Sequence, residues 1–132
     1  MIGLDTNVLV RYLVRDDSAQ TARADRLIES RCTPEHPGHI ALVTLCELYW
    51  VLRRGYGYRQ PDILRVMRGL LSAADLDIEN PALVGAAIQA SERGKGGFAD
   101  HVIAHGNAEA GAKPTFTFDA AAASDPLFSM VP

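Results

Sequence analysis

Four acidic residues, Asp5, Glu47, Asp100 and Asp119, have side chains that suit the binding of a divalent metal ion. Carboxylates that converge on one cleft repel one another, and some stay protonated unless a cation balances their charge. Mg²⁺ prefers oxygen ligands and keeps several of its waters, and Mn²⁺ takes similar ligands. The chemistry that such a site favours is phosphodiester hydrolysis, in which a bound metal activates water.

The elements that must position these acids follow from an alternation of short apolar runs and longer helical patterns. This alternation predicts an α/β fold with a parallel sheet covered by helices. Strands are predicted over Ile2–Leu4, His39–Val43, Leu76–Ile78, Thr115–Phe118 and Leu127–Val131. Helices are predicted over Asn7–Val14, from an N-cap at Ser18 to Arg31, from Thr44 to Arg54, from Pro61 to Ala74, from Pro81 to before Gly94, and over Ala99–Ala110.

Three of the four acids fall at the carboxyl ends of predicted strands, where open α/β sheets bind their ligands. Asp5 and Asp119 each follow a strand directly, and Glu47 lies in the first turn of the helix after the second strand. Asp100 instead opens the helix that precedes the Asp119 strand. It reaches the same edge only if the loop Gly94–Gly97 returns the chain there.

Four stretches in this order resemble the PIN-domain ribonucleases, and the resemblance covers nearly the whole chain. They are Ile2-Gly3-Leu4-Asp5-Thr6-Asn7-Val8-Leu9, Glu47-Leu48-Tyr49-Trp50-Val51-Leu52, Ala99-Asp100-His101-Val102-Ile103-Ala104 and Thr115-Phe116-Thr117-Phe118-Asp119. The opening Leu-Asp-Thr-Asn is the most specific of them. In size the chain is similar to the VapC toxins of bacterial toxin–antitoxin pairs.

The resemblance implies a Rossmann-like α/β/α sandwich with a central, mainly parallel sheet that binds Mg²⁺ or Mn²⁺ and cleaves RNA. The family's three core acids correspond to Asp5, Glu47 and Asp100, and its more variable fourth acid corresponds to Asp119. Thr117 and Asn7 are expected to support them. The resemblance also implies a homodimer and a VapB-type antitoxin, whose tail covers the active site and whose other half binds DNA, so that this chain meets DNA only indirectly.

Each of the four acids also has a purely structural interpretation. Asp5 could cap the following helix, although Thr6 or Asn7 could do so instead. The spacing Thr44-x-x-Glu47 matches a capping box, in which Glu47 would bond only its own backbone. Asp100 suits the positive end of a helix dipole, and Asp119 suits an ordinary turn.

Other polar residues give weaker signals. His101 and His105 have the spacing of half a metal site, but no third ligand is evident from the sequence, which favours ordinary histidines. The loop Gly94–Gly97 lacks the ending of a phosphate-binding P-loop, although Lys95 could touch a phosphate. Arg11 and Arg15, one helical turn apart, are better candidates for phosphate contacts.

The composition is that of an ordinary globular chain, with 132 residues, 48% hydrophobic residues and a net charge of -3. We expect one domain over residues 1–132, in the cytoplasm and with no membrane segment. Cys32 and Cys46 fit no metal pattern. One rival function is a catalytically idle scaffold that binds a protein partner. A second is a magnesium-dependent phosphatase or phospho-acceptor domain. A phosphatase of the haloacid-dehalogenase type needs a second aspartate at position 7, where this chain has Asn7, so the sequence disfavours it.

Overall fold

The computed structural model describes residues 1–132 and contains five short strands and six α-helices. In chain order these are β1 (Ile2–Gly3), α1 (Thr6–Val14), α2 (Ser18–Arg31), β2 (Gly38–Ile40), α3 (Leu42–Trp50), α4 (Gln60–Ser72), β3 (Leu76–Ile78), α5 (Pro81–Arg93), α6 (Phe98–Glu109), β4 (Thr115–Thr117) and β5 (Phe128–Met130). A π-helical turn, Val51–Gly55, extends α3, and a 3₁₀ turn, Ala122–Ser124, precedes β5. None of the helices combines the length and the hydrophobicity that a membrane span requires.

All strand pairs are parallel, which confirms the predicted α/β class. Strands β1, β2 and β3 form one sheet in that order, with Ile2 opposite Gly38 and Ile40 opposite Ile78. Strands β4 and β5 form a separate pair with Thr115 opposite Phe128. β1 has only two residues and pairs only with β2, so it forms one edge of the sheet.

The main core lies between the three-stranded sheet and the helices packed around it. Helix α1 packs against α2 and α3, α5 against α4 and α6, and α4 against β3. The buried face of α4 has the spacing of an amphipathic helix, with Ile63, Leu64, Met67 and Leu70 all almost inaccessible. A smaller apolar cluster of Ala104, Ala122 and Phe128 joins α6 to the β4–β5 pair.

Gly38 lets β2 approach its neighbours closely. A Cβ atom at this position would lie 2.8 Å from both the Cys32 sulfur and a Leu4 methyl carbon. Only glycine fits this approach without movement of the surrounding core.

The boundary between β2 and α3 differs from the predicted one. Leu42 and Val43, predicted to lie in a strand, form the start of α3, which begins two residues before Thr44. The Glu79 carboxylate, which follows β3, accepts a hydrogen bond from the Leu42 amide at 2.9 Å and supports this earlier start. The predicted Thr44–Glu47 capping box is therefore wrong.

Other helix ends agree more closely with their sequence signals. Asn80 caps α5 by accepting a bond from the Leu83 amide, and Gly111 adopts a positive φ just after α6. At α2 the predicted cap is shifted by one residue, because Asp17 rather than Ser18 accepts the bond from the Gln20 amide.

Candidate functional site

Asp5 lies at the carboxyl end of β1 and caps α1. Its Oδ1 accepts a hydrogen bond from the Thr6 amide at 2.7 Å, so Asp5 caps the helix itself. The side chain is exposed, and its Oδ2 has no hydrogen-bond partner within the protein. The capping bond fixes the carboxylate in place and leaves one oxygen available for a ligand.

Glu47 lies on α3, next to the start of α1. The Thr6 hydroxyl donates to its Oε2 at 3.3 Å, and Oε1 has no protein partner. Asp5 and Glu47 line one open cleft of about 350 Å³, which also includes Asn7, Arg11 and Tyr56. We call this the carboxylate cleft.

Asp100 lies in the first turn of α6 and is half-buried. Its Oδ2 accepts a hydrogen bond from the Gly97 amide at 3.0 Å, and Oδ1 has no protein partner. Asp100 therefore caps the start of α6 at the positive end of the helix dipole, and one oxygen remains available.

The loop before Asp100 is tied to the helix that carries Glu47. The Tyr49 hydroxyl donates to Gln60 Oε1 at 2.7 Å, and the side-chain Nε2 of Gln60 donates to the Gly96 carbonyl at 3.4 Å. Gly97 packs directly on the Tyr49 ring, where a Cβ would lie 3.2 Å from the phenol oxygen. Burial raises the pKa of Tyr49, and the charge of Asp100 raises it further. These contacts attach the start of α6 to α3.

Asp119 follows β4 and is exposed. Its Oδ1 accepts bonds from the Ala121 and Ala122 amides, and Oδ2 has no protein partner. The Thr117 hydroxyl accepts a bond from the Asp119 amide at 3.0 Å, so Thr117 fixes the backbone of this turn. The same turn touches the loop before Asp100, because a Cβ on Gly96 would lie 3.2 Å from the Ala122 Cα.

The structure groups the four acids in pairs. Asp5 and Glu47 share the carboxylate cleft, and the segments that carry Asp100 and Asp119 pack against each other. No three of the four bring carboxylate oxygens within 4.8 Å of one another. Mg²⁺ is usually held by only one or two carboxylates and keeps several of its waters, so a site need not contain three acids in contact.

The charge on these acids is not balanced by the protein. None of the four forms an ion pair with a lysine, arginine or histidine. Arg11 lines the carboxylate cleft, but its guanidinium bonds to Asp16, Gln20 and Tyr56. Carboxylates with one fixed and one free oxygen each match the oxygen donors that a hard divalent cation requires.

The three residues predicted to contact phosphate, Arg11, Arg15 and Lys95, lie in different surroundings. Arg15 forms a bidentate pair with Asp25 on α2, and Lys95 is exposed at the loop before α6. Arg11 alone of the three lines the cleft that contains Asp5 and Glu47.

The sequence did not reveal a third partner for His101 and His105, and the structure supplies one. Asp125 lies between the 3₁₀ turn and β5, and its Oδ2 is 2.7 Å from His101 Nδ1 and 3.2 Å from His105 Nε2. We call these three residues the histidine cluster. Asp125 precedes a proline, which in sequence indicates only a turn.

No curated protein matches the chain. The family model described as the PIN domain matches residues 2–124, which include all four predicted acids. PIN domains are generally nucleases that use divalent metals. The match covers more than half of the chain and confirms the predicted resemblance to PIN domains. The chain therefore belongs to the PIN domain family.

Proposed function

We propose that this chain is a Mg²⁺- or Mn²⁺-dependent endoribonuclease and the toxin component of a type II toxin–antitoxin pair, built as one domain over residues 1–132. The observation that carries the nuclease proposal is the carboxylate cleft. Asp5 follows β1 and Glu47 lies on α3, and the two share one solvent-open cleft without forming an ion pair with any protein cation. Membership of the PIN domain family supports the same reaction class.

Asp5, Glu47, Asp100 and Asp119 would hold the metal. A divalent cation bound there would supply Lewis-acid activation of the attacking water and stabilise charge on the phosphate. The protein's own part is to fix each carboxylate through one oxygen, as the Thr6 amide does for Asp5 and the Gly97 amide for Asp100. We infer in-line attack by water that leaves a 5′-phosphate, with no side chain acting as the nucleophile.

Arg11 is the residue best placed to contact an RNA phosphate beside these acids. It lines the carboxylate cleft, and its side chain is about 30% exposed. Arginine binds phosphate in a planar, bidentate geometry, which would exchange its present bond to Asp16 for one to the substrate. Asn7, exposed in the same cleft, offers a second polar contact.

The toxin role brings further proposed partners. A VapB-type antitoxin would cover the carboxylate cleft with a tail segment and would bind DNA through its other half. Homodimerisation is proposed from the same likeness to VapC toxins in size and motif. Large apolar side chains stand exposed on the surface and offer material for such contacts: Val43, Ile103, Phe116, Phe118 and Met130.

One observation favours the alternative of an idle scaffold that only binds a protein partner. No three of the acids meet within 4.8 Å, so direct ligation by three side chains would need movement. A scaffold would keep the fold and the partner contacts without cleaving RNA.

The test is incubation of the purified, antitoxin-free protein with total cellular RNA and Mg²⁺ or Mn²⁺. We expect discrete fragments with 5′-phosphate ends that disappear in EDTA and in Asp100→Asn. Asparagine can still accept the Gly97 amide bond, so the fold is retained. Asp62→Asn is the matched control, because Asp62 is also a first-turn acid, on α4.

Four outcomes would contradict parts of this proposal. Cleavage that persists in excess chelator excludes metal dependence, and 2′,3′-cyclic phosphate ends indicate attack by the RNA's own hydroxyl. Equal activity in Asp100→Asn and Asp62→Asn would remove Asp100 from the site. A folded wild type that binds metal and antitoxin but cleaves no RNA would favour the scaffold.

A further inference from the structure

The histidine cluster brings three metal-binding side chains together away from the four acids. One ligand atom from each of His101, His105 and Asp125 lies within 4.8 Å of the other two. The His101 side chain is fully buried, the Asp125 side chain is 3% exposed, and the His105 side chain is 25% exposed. Two of the three residues are therefore fixed inside the protein, and the third reaches its surface.

The hydrogen bonds of His101 direct its Nδ1, the nitrogen that could bind a metal, toward Asp125. Its Nε2 lies 3.1 Å from the Lys95 carbonyl oxygen, which can only accept, so Nε2 carries a hydrogen. Metal-binding histidines commonly donate their second ring N–H to a backbone carbonyl in this way. Nδ1 then points at Asp125 Oδ2, where His105 Nε2 also converges.

Asp125 is held in place independently of the histidines. Its Oδ1 accepts a bond from the Leu127 amide at 2.8 Å, and its carbonyl accepts one from the Phe128 amide at 3.0 Å. Burial acts to raise the pKa of Asp125, but the bonds from Leu127 and His101 and the two histidine charges keep it below its ordinary value. The carboxylate is thus ionised and oriented toward both rings.

A solvent-open cleft leads to the cluster. It has a volume of about 430 Å³, and its lining includes His105, Ser124 and Asp125. This opening gives an ion a route to the ligands and leaves room for water to complete its coordination.

We propose that His101, His105 and Asp125 form a binding site for a transition-metal dication, best matched by Zn²⁺. A tetrahedral zinc with ligand bonds of about 2.0–2.1 Å places neighbouring ligand atoms roughly 3.3 Å apart. The His105 Nε2–Asp125 Oδ2 distance of 3.2 Å already fits. The His101 Nδ1–Asp125 Oδ2 distance of 2.7 Å widens when the metal replaces the hydrogen between them.

Imidazole ligands make this site chemically distinct from the four acids. Histidine nitrogen suits zinc and related ions, whereas Mg²⁺ selects carboxylate, carbonyl and water oxygens. A metal here would join α6 to the segment that carries β5, since His101 and His105 lie on α6 and Asp125 precedes β5. Its role is therefore to stabilise this junction.

The experiment titrates the full-length, chelator-stripped protein with Co²⁺ alone, followed by visible absorption, and then displaces Co²⁺ with Zn²⁺. We expect one tetrahedrally coordinated Co²⁺ per chain, with no thiolate band in its spectrum, and a melting temperature raised by Zn²⁺. His105→Ala should weaken Co²⁺ affinity at least about tenfold, because loss of even an outer-sphere partner commonly costs this much. His36→Ala, at an exposed histidine elsewhere, should leave binding unchanged.

Asp100→Asn should keep the tetrahedral Co²⁺ spectrum, which separates this site from the proposed nuclease site. Absence of binding by the folded wild type would overturn the proposal. Equal affinity in His105→Ala and wild type, or a thiolate band that disappears in Cys46→Ser, would likewise overturn it. If His105→Ala unfolds, NMR of the wild type replaces it: Zn²⁺ must shift the ring signals of His101 and His105 and leave those of His36 in place.

Discussion

The carboxylate cleft and the histidine cluster differ in the burial of their carboxylates and in how the negative charge is compensated. In the cleft, Asp5 and Glu47 stand exposed, each fixed through one oxygen and left without a counter-ion. In the cluster, Asp125 is buried, and both of its oxygens are hydrogen-bonded. Exposure lets the cleft keep uncompensated charge at little cost, whereas a buried charge must be paired.

From this difference we expect the cleft to serve the proposed chemistry and the cluster to serve the fold. Removal of an acid from the cleft should affect a reaction and leave stability nearly unchanged. Removal of the acid from the histidine cluster should affect stability even without metal. The following predictions separate the two regions on this basis.

The largest effect is expected from Asp125→Ala. Loss of this side chain leaves the buried His101 Nδ1 without a partner, and breaking a buried ion pair typically costs about 3–5 kcal/mol. Urea unfolding in EDTA measures it. Asp119→Ala is the matched control, because Asp119 also accepts hydrogen bonds from backbone amides of the turn after it but is exposed. This variant should lose less than about 1 kcal/mol of unfolding free energy. Equal losses would show that burial does not separate Asp125 from an exposed acid.

Asp5→Asn should abolish most RNA cleavage. Removal of one electrostatic group from an active site commonly lowers the rate about 10²–10³-fold. Asparagine caps helices as well as aspartate, so the unfolding free energy should stay within about 0.5 kcal/mol of wild type. Single-turnover rates and urea unfolding provide both values. A stability loss as large as the activity loss would assign Asp5 to the fold instead.

Arg11→Gln should weaken RNA binding and leave cleavage of bound RNA largely intact. Loss of one phosphate contact to single-stranded RNA lowers the slope of log K against log salt by about 0.7. Fluorescence anisotropy in Ca²⁺ at several salt concentrations measures this slope. Arg65→Gln, an arginine exposed on α4, is the control and should not change it. Identical slopes for the two variants would exclude a phosphate contact by Arg11.

The smallest effect concerns Tyr49, which senses the charge of Asp100. Its pKa is raised by burial and by Asp100, while Arg53 and the Phe98 amide lower it. Asp100→Asn removes a raising contribution, so the pKa of Tyr49 should fall but stay above its ordinary value. Tyrosine ¹³Cζ shifts followed by NMR across alkaline pH report it. An unchanged pKa, matching that of Asp62→Asn, would place the Asp100 charge away from Tyr49.

Local signals in the sequence predicted much of the fold. The Asn80-Pro81 start of α5, the stop at Gly111 and the strand Leu76–Ile78 depend on neighbouring residues, and all three are present in the structure. The β2–α3 boundary was not predictable in this way. The residue that caps α3 is Glu79, which lies 37 positions from Leu42 in the sequence.

The candidate site residues likewise differ in whether local sequence could predict them. Family motifs and strand ends predicted the positions of the four acids, and the structure shows which oxygens are fixed. Asp125 escaped sequence analysis because it lies 20 residues beyond His105 and meets it only through the packing of β5 beside β4. A metal-ligand spacing can be read within one helix, but not across a fold.

The separate β4–β5 pair also affects the order in which the chain folds. Thr115 pairs with Phe128, whereas Ile2 must find Gly38, so the loop closed by β4–β5 is about a third as long. Loop-closure entropy then favours the shorter pairing by roughly 1 kcal/mol. We expect the C-terminal part of the chain to assemble early, with the three-stranded sheet completing later.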